Sequence, residues 1–327
     1  MATLLQCINQ FIDKITPSDL QDDVVQGAYD NIKSHLTCND CKLSIKDVFL
    51  NGSYIRKTMI RPINDIDVFA VIDDTDYYIN GQEPNPQSVL NSFKNYLNSL
   101  GDYKDKCRQD RPCITIDLSK LHIDVLPALH HAGAVSIPDS SLKRWIITDP
   151  KAHNQSFSDI DRRCNYKARD IVKTIKRWKN DREIPLPSFK IEVIAIRVFD
   201  FYKFKNVEEG IRMWFDHAEE YLTQDMTGSY NQYEKVRDSI KATKRQLNLA
   251  KAYTDDGKQS EAIKVWKDEF KTDFPTVDVI EARSFGKAIK DGGLKWSAAV
   301  GLSTIEGSAI AASKGFYGKD TEQTQGE

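Results

Sequence analysis

NGSYIRKTMIRPINDIDVFAVID, residues 51–73, decides how this 327-residue chain is read. Asp65 and Asp67 stand one residue apart and run into residues 68–72, the most apolar strand-like segment of the sequence. Side chains alternate faces along a strand, so both carboxylates leave from the same side. A carboxylate in apolar surroundings is costly unless it is paired or bound to a cation, and a second like charge beside it raises the cost. A divalent ion resolves the conflict, and oxygen ligands suit Mg2+ or Mn2+. Upstream, Gly52 and Ser53 form a turn suited to phosphate: glycine lets backbone N–H groups approach closely, and the hydroxyl adds a donor. A helix starting there would add positive potential.

A two-metal site needs a third acid from a neighbouring strand. HIDVLPAL, residues 122–129, supplies Asp124, again inside an apolar run. Asp117, at the end of CITID, is its rival. If Ser119-Lys120 is a hairpin turn, Thr115 faces Asp124 and Asp117 faces His122, so parity excludes neither acid. Depth favours Asp124, because Asp117 lies near the turn where water solvates it. Alone, a Gly-Ser pair marks a turn and an Asp-x-Asp marks a solvated strand start. In this order, with a third strand acid, they describe a nucleotidyltransferase site.

The rest of the chain frames that site. Hydrophobic residues make up 40% and charged residues 29%, the balance of a globular protein. No run approaches the length of a membrane span, and the N-terminus lacks the basic flank of a secretion signal. Six cysteines in this length are too few for a disulfide framework, so a reduced, cytoplasmic setting is expected. A net charge of −2 argues against a nucleic-acid-coating role. Residues 4–36 have helical spacing, with a second start at Ser18-Asp19. LSIKDVFLNGSY reads as a short strand entering a turn, GSYIRKTM as a helix that Pro62 stops, and QSVLNSFKNYLNSL as an amphipathic helix. CITIDLSKLHIDVLPAL reads as two strands closed by Pro127. From ARDIVKTIKRWKND onward the pattern is helical. The fold class is therefore α+β. Residues 1–150 are expected to form one lobe, N-terminal helices included, residues 151–313 a helical lobe, and residues 314–327 a polar tail.

The pair NGSYIRKTMIRPINDIDVF and IDVLPAL resembles the polymerase-β-like nucleotidyltransferases. More narrowly, with IVKTIKRWKND, LPSFKIEVI and NLAKAYTDDGKQSEAIKVWKDEFKTDFP, the chain is similar to the cyclic GMP-AMP synthase/DncV-like family over roughly residues 1–280. The resemblance implies a mixed-sheet nucleotidyltransferase lobe plus a helical lobe similar to that of oligoadenylate synthetase. It implies that Asp65, Asp67 and Asp124 bind two Mg2+ (or Mn2+) ions. Gly52 and Ser53, with Lys176 and Ser188 from the helical lobe, would hold the nucleotide triphosphate. The implied activity joins nucleoside triphosphates into a cyclic oligonucleotide messenger with release of pyrophosphate, in bacterial anti-phage signalling.

The helical-lobe residues have competing readings. Lys173 lies nearly one turn before Lys176 and is its rival as phosphate ligand. Ser188 has the position of a helix N-cap whether or not it binds anything. Surface solubility accounts for at least two of Arg56, Lys57 and Arg61, and core packing for Trp145 and Phe157. Other polymerase-β-like transferases, acting on tRNA, protein or antibiotics, and a non-catalytic nucleotide-binding relative stay open. Activation by duplex nucleic acid and a membrane role are not expected; a regulatory protein partner is compatible with the sequence.

Overall fold

A computed structural model describes residues 3–73, 82–110, 112–131, 133–277 and three short strands beyond them. Helix α1, Leu4–Ile15, is capped by Thr3, and α2, Asp19–Thr37, begins after Ser18 with a capping box to Gln21. Strand β1, Ile45–Asn51, leads through a one-turn helix α3, Gly52–Ile55, towards β2, Asp65–Asp73. Helix α4 covers Pro86–Ser99. Strands β3, Cys107–Asp110, β4, Cys113–Asp117, β5, His122–His131, β6, Ala134–Pro138, and β7, Trp145–Thr148, complete the sheet. Its order is β1-β2-β5-β4-β3, with β6 on β5 and β7 on β6. Only β2 and β5 run parallel; the other pairs are antiparallel.

One face of the sheet is packed by α2 and α4. Val48, Leu50, Ile66, Val68, Ala70, Ile72, Ile123 and Val125 form its core with Val25, Ile32, Leu90 and Phe93. Alternation then places Asp65, Asp67 and Asp124 on the opposite face. Further along that face, Phe69, Val71 and Ala128 make a small cluster, with Phe49 stacked on Phe69.

The helical part comprises α5, Pro150–Arg163, α6, Ala168–Asp181, α7, Ser188–Phe201, α8, Val207–Tyr221, α9, Tyr230–Asp255, and α10, Gln259–Phe270. Trp178, Trp214, Trp266, Phe157 and Phe215 anchor its core. Helix α1 belongs to this core rather than to the sheet, because its apolar stripe of Leu4, Cys7, Ile8, Phe11 and Ile15 fits there. Phe11 meets Phe270 and Phe274 at 5.8 and 5.4 Å between ring centroids. Of the two N-terminal helices, α2 packs on the sheet and α1 on the helices.

Two local readings also change. Pro127 does not close a strand but sits inside β5, opposite Ala70. On its other side, β4 pairing stops at Val125 and β6 pairing starts at Leu129, so the missing N–H falls in an unpaired gap. The helix opened by Gly52 ends after one turn, long before Pro62. Lys57 turns left-handed at φ 57°, and Thr58 N–H bonds back to the Ser53 carbonyl at 2.9 Å. Strands β8, Lys295–Ser297, β9, Gly301–Ser303, and β10, Ser308–Ala309, pair antiparallel in the order β10-β8-β9. The expected polar tail, residues 314–327, lies outside the described residues.

Candidate active site

The parallel pairing of β2 and β5 sets Asp67 beside Asp124 and Asp65 beside His122. The β4–β5 hairpin takes the register expected from its sequence, Thr115 facing Asp124 and Asp117 facing His122. The Thr115 hydroxyl donates to Asp124 Oδ1 at 2.5 Å and fixes that carboxylate. Asp117 has other company: Arg108 Nε at 3.1 Å and His122 Nδ1 at 2.8 Å, at a solvent-open edge. The acid beside the Asp65/Asp67 pair is thus Asp124.

These carboxylates repel one another. Burial first, then the charges of Asp65 and Asp124, push the Asp67 carboxyl up to about 6, with Arg56 pulling the other way. Burial raises Asp124 too, opposed by the Thr115 bond and reinforced by Asp65. Among the described residues no three His, Cys, Asp or Glu side chains close into a ready-made cage. The acids stand side by side with an electrostatic deficit instead. Hard oxygen donors whose protonation a nearby positive charge would relieve fit a divalent cation of the Mg2+ type.

Gly52 touches the same cluster. It sits at φ +71°, and a Cβ built there would lie 1.7 Å from Asp67 Oδ2. Only glycine permits both the left-handed backbone and this approach. Gly52→Ala is therefore expected to displace the Asp67 carboxylate and lower turnover at least ~100-fold, the scale of a misplaced catalytic group. Steady-state kinetics beside a circular-dichroism check of folding measures it.

Between the sheet and the helices lies a cleft of about 330 Å³ whose lining includes Ser53, Asp65, Asp67, Lys176, Lys179, Ser188 and Phe189. Gly52 and Asp124 adjoin Asp67 but stay outside the lining. Lys173, the rival of Lys176, points elsewhere, to Thr16 Oγ1 at 3.2 Å and Asp170 Oδ1 at 3.1 Å. Ser188 is the first residue of α7 and not its cap: Pro187 precedes it in extended conformation, and no side-chain cap bond forms. Its hydroxyl lines the cleft at the helix N-terminus, where positive potential is greatest.

Lys176 is in the cleft wall but is committed. Its Nζ donates to Glu192 Oε1 at 2.7 Å, Thr58 Oγ1 at 3.0 Å and the Thr58 carbonyl at 3.2 Å. Glu192, fully buried on α7, also accepts from Arg56 Nε at 2.6 Å and the Thr58 hydroxyl at 2.6 Å, with His153 Nε2 at 3.4 Å. Arg56 continues to Asn154 Oδ1, and Asn154 to Asn51 Oδ1 opposite Asp67. Burial alone would raise the Glu192 carboxyl; the His153 contact and the charges of Lys176 and Arg56 win and hold it well below the usual range. Burial pulls the Lys176 ammonium down, and Glu192 opposes that.

Sequence reading missed this network. Arg56 is 8% exposed rather than a solubility residue. Lys57 does stay at the surface over the Tyr54 ring. Phe189 was also missed, an exposed aromatic at the cleft tilted against His153. Its position directly after Ser188 was the available signal. Trp145 and Phe157 are core residues, as expected.

A Gly-Ser turn and two Asp strands in parallel register, with a helical wall opposite, are arranged as in the polymerase-β-like nucleotidyltransferase fold. Residues 1–161 match the Second Messenger Oligonucleotide or Dinucleotide Synthetase domain. Cyclic AMP-AMP-AMP synthase of an Acinetobacter species is 27% identical over 210 residues, 59% of this chain and 59% of that synthase. E. coli CdnC solved with ATP superposes with a TM-score of 0.67 at 17% identity, covering 83% of this chain and 98% of CdnC. In its complex with HORMA-deltaN the TM-score is 0.66 at 16% identity, over 83% and 98%. The chain is therefore similar to the cyclic GMP-AMP synthase/DncV-like nucleotidyltransferases in its N-terminal part and shares their fold.

Proposed function

We propose that this protein joins nucleoside triphosphates into a cyclic oligonucleotide messenger, releasing pyrophosphate, as part of cytoplasmic anti-phage signalling in bacteria. The observation that carries the reading is the register of Asp67 against Asp124, with Asp65, Asp67 and Ser53 lining one cleft. The sugar hydroxyl of one nucleotide attacks the α-phosphorus of another. An O–P bond forms, the hydroxyl gives up its proton, the bond to the bridging oxygen breaks, and pyrophosphate leaves. Two Mg2+ or Mn2+ ions on Asp65, Asp67 and Asp124 would supply Lewis-acid activation of the hydroxyl and neutralise phosphate charge. Gly52 keeps the turn close to Asp67, Thr115 orients Asp124, and the Ser53 and Ser188 hydroxyls bind the phosphate chain from the two sides of the cleft. Phe189 offers its face to a base.

ATP is the first substrate to test, since the Acinetobacter relative makes an all-adenine product and CdnC was solved with ATP. A protein activator is a further part of the proposal, because CdnC was also solved with HORMA-deltaN. Among the described residues no helix is long and apolar enough to cross a membrane. The test is incubation with all four ribonucleoside triphosphates and Mg2+ or Mn2+, with and without such a partner, followed by mass spectrometry. Phosphatase-resistant cyclic product together with pyrophosphate is expected. Nucleotide transfer to tRNA, protein or an antibiotic in its place would move the chain to another branch of the superfamily.

A further inference from the structure

The end of α2 carries a pair of thiols outside the cleft. The helix stops at Thr37, and Cys38 follows as its C-cap in extended conformation. Asn39 and Asp40 then reverse the chain, and the Cys41 N–H donates to the Cys38 carbonyl at 3.1 Å. A turn closed in this way holds its end Cα atoms within about 7 Å, a separation that a disulfide spans. The side chains converge as well. The Tyr96 hydroxyl of α4, which donates to the His35 carbonyl at 2.6 Å, lies 3.7 Å from Cys38 Sγ and is hydrogen-bonded to the Cys41 thiol too. Two thiols that meet one oxygen atom are close to each other. Cys38 is exposed and Cys41 half-buried, and neither is in a disulfide. The other cysteines are placed differently: Cys7 is sealed in the helical core, and Cys107 and Cys113 stand at opposite ends of the β3–β4 ladder.

We propose that Cys38 and Cys41 form a reversible oxidation site, in which Cys38 is the attacking thiol and Cys41 the resolving one. Exposure gives Cys38 the first encounter with a small disulfide such as oxidised glutathione. Its thiolate attacks one sulfur, a Cys38–glutathione bond forms, the glutathione disulfide breaks, and the departing thiolate takes up the proton that Cys38 gave up. The Cys41 thiolate then attacks Cys38 Sγ, the mixed disulfide breaks, and the second glutathione leaves with the Cys41 proton. Two protein thiols are oxidised and one glutathione disulfide is reduced to two thiols. Excess thiol runs the sequence backwards, so in a reducing compartment the pair rests as a dithiol. Oxidation takes the thiol hydrogens away from Tyr96 and the His35 carbonyl. It closes the link between α2 and β1 covalently, on the sheet face that α2 and α4 pack and not on the face of the acids.

The full chain incubated with oxidised glutathione, quenched in acid, alkylated with iodoacetamide and digested with trypsin without reductant tests this by mass spectrometry. Residues 34–42, SHLTCNDCK, form one tryptic peptide that holds both cysteines and no other. In the parent it is expected without alkylation and lighter than the dithiol peptide by two hydrogen atoms, and dithiothreitol should restore both alkylation sites. Cys41→Ser should stop at the Cys38–glutathione mixed disulfide, whereas Cys38→Ser should leave Cys41 open to alkylation. A parent protein that keeps glutathione on Cys38 beside an alkylated Cys41 overturns the inference. So does alkylation of both cysteines, or a bond from either of them to another cysteine or to a second chain. Equal glutathionylation of the two single variants overturns the division of roles.

Discussion

Asp124→Asn should lower turnover by roughly a thousandfold or more, equivalent to about 4 kcal/mol of lost transition-state stabilisation. Asp117→Asn, two strand positions from the register of Asp67, should cost less than about tenfold, the effect of a charge removed outside the reacting centre. Asp67→Asn should match Asp124→Asn in turnover and differ in stability. In chelator the Asp67 carboxyl sits at about 6, above its ordinary 3.8, so the folded state holds a proton that the unfolded state releases. Its ionisation therefore costs stability progressively as pH rises from about 4 to about 6, by about 3 kcal/mol at neutral pH. Below pH 4 both states are protonated and the contribution vanishes. Asp67→Asn should melt higher than the parent at pH 7 in chelator and lose that advantage when Mg2+ is added to both. Thermal scans at pH 4 and 7 measure it. A dead Asp117→Asn beside an active Asp124→Asn would overturn the assignment and the registry argument together.

Glu192→Ala is expected to be the most destabilising change in the cleft. It leaves Lys176 and Arg56 buried without their counter-ion, a situation that costs about 3–5 kcal/mol. For a chain of this size that is roughly 10 °C in melting temperature. Glu192→Gln keeps the shape and part of the bonding and should cost less. The pH dependence has the opposite sign to that of Asp67. The Glu192 carboxyl is held well below its ordinary value, so its contribution is complete above the ordinary glutamate range and disappears only in strong acid. Calorimetric scans of the two variants against the parent check both statements. A Glu192→Ala protein that melts within 2 °C of the parent, on the same scale of about 2–4 °C per kcal/mol, would show that the network contributes little.

The acidic face of the sheet was legible in the sequence because the relevant rule is local. Alternation put Asp65 and Asp67 on one side, and the short 118–121 turn fixed Thr115 against Asp124. The resemblance to a family placed Asp124 beside them, and the parallel β2–β5 register bears that arrangement out. What escaped was set by distant contacts. Arg56 sits among basic residues and reads as a surface charge, because the carboxylate that buries it lies 136 positions away. Lys176 and Lys179 look alike in KTIKRWKN, and only the α7 carboxylate distinguishes them. Pro127 looked like a strand end because the gap between β4 and β6 that accommodates it belongs to the sheet, not to the segment.

Helix α1 has a consequence for how the molecule is made. Its apolar stripe packs against α6 and α8 as well as against Phe270 and Phe274, so its cover is completed by residues about 260 positions away. Without α10 and Phe274, part of the Phe11 face stays exposed, a surface prone to association. The matched domain, residues 1–161, consequently is not a self-sufficient unit: it holds Asp65, Asp67 and Asp124 yet lacks the packing partners of α1. Helices α1 and α10 close the helical layer together, and the sheet lies between them in sequence. Closure of the helical layer over α1 therefore waits until residues 259–274 have been made, after every strand from β1 to β7.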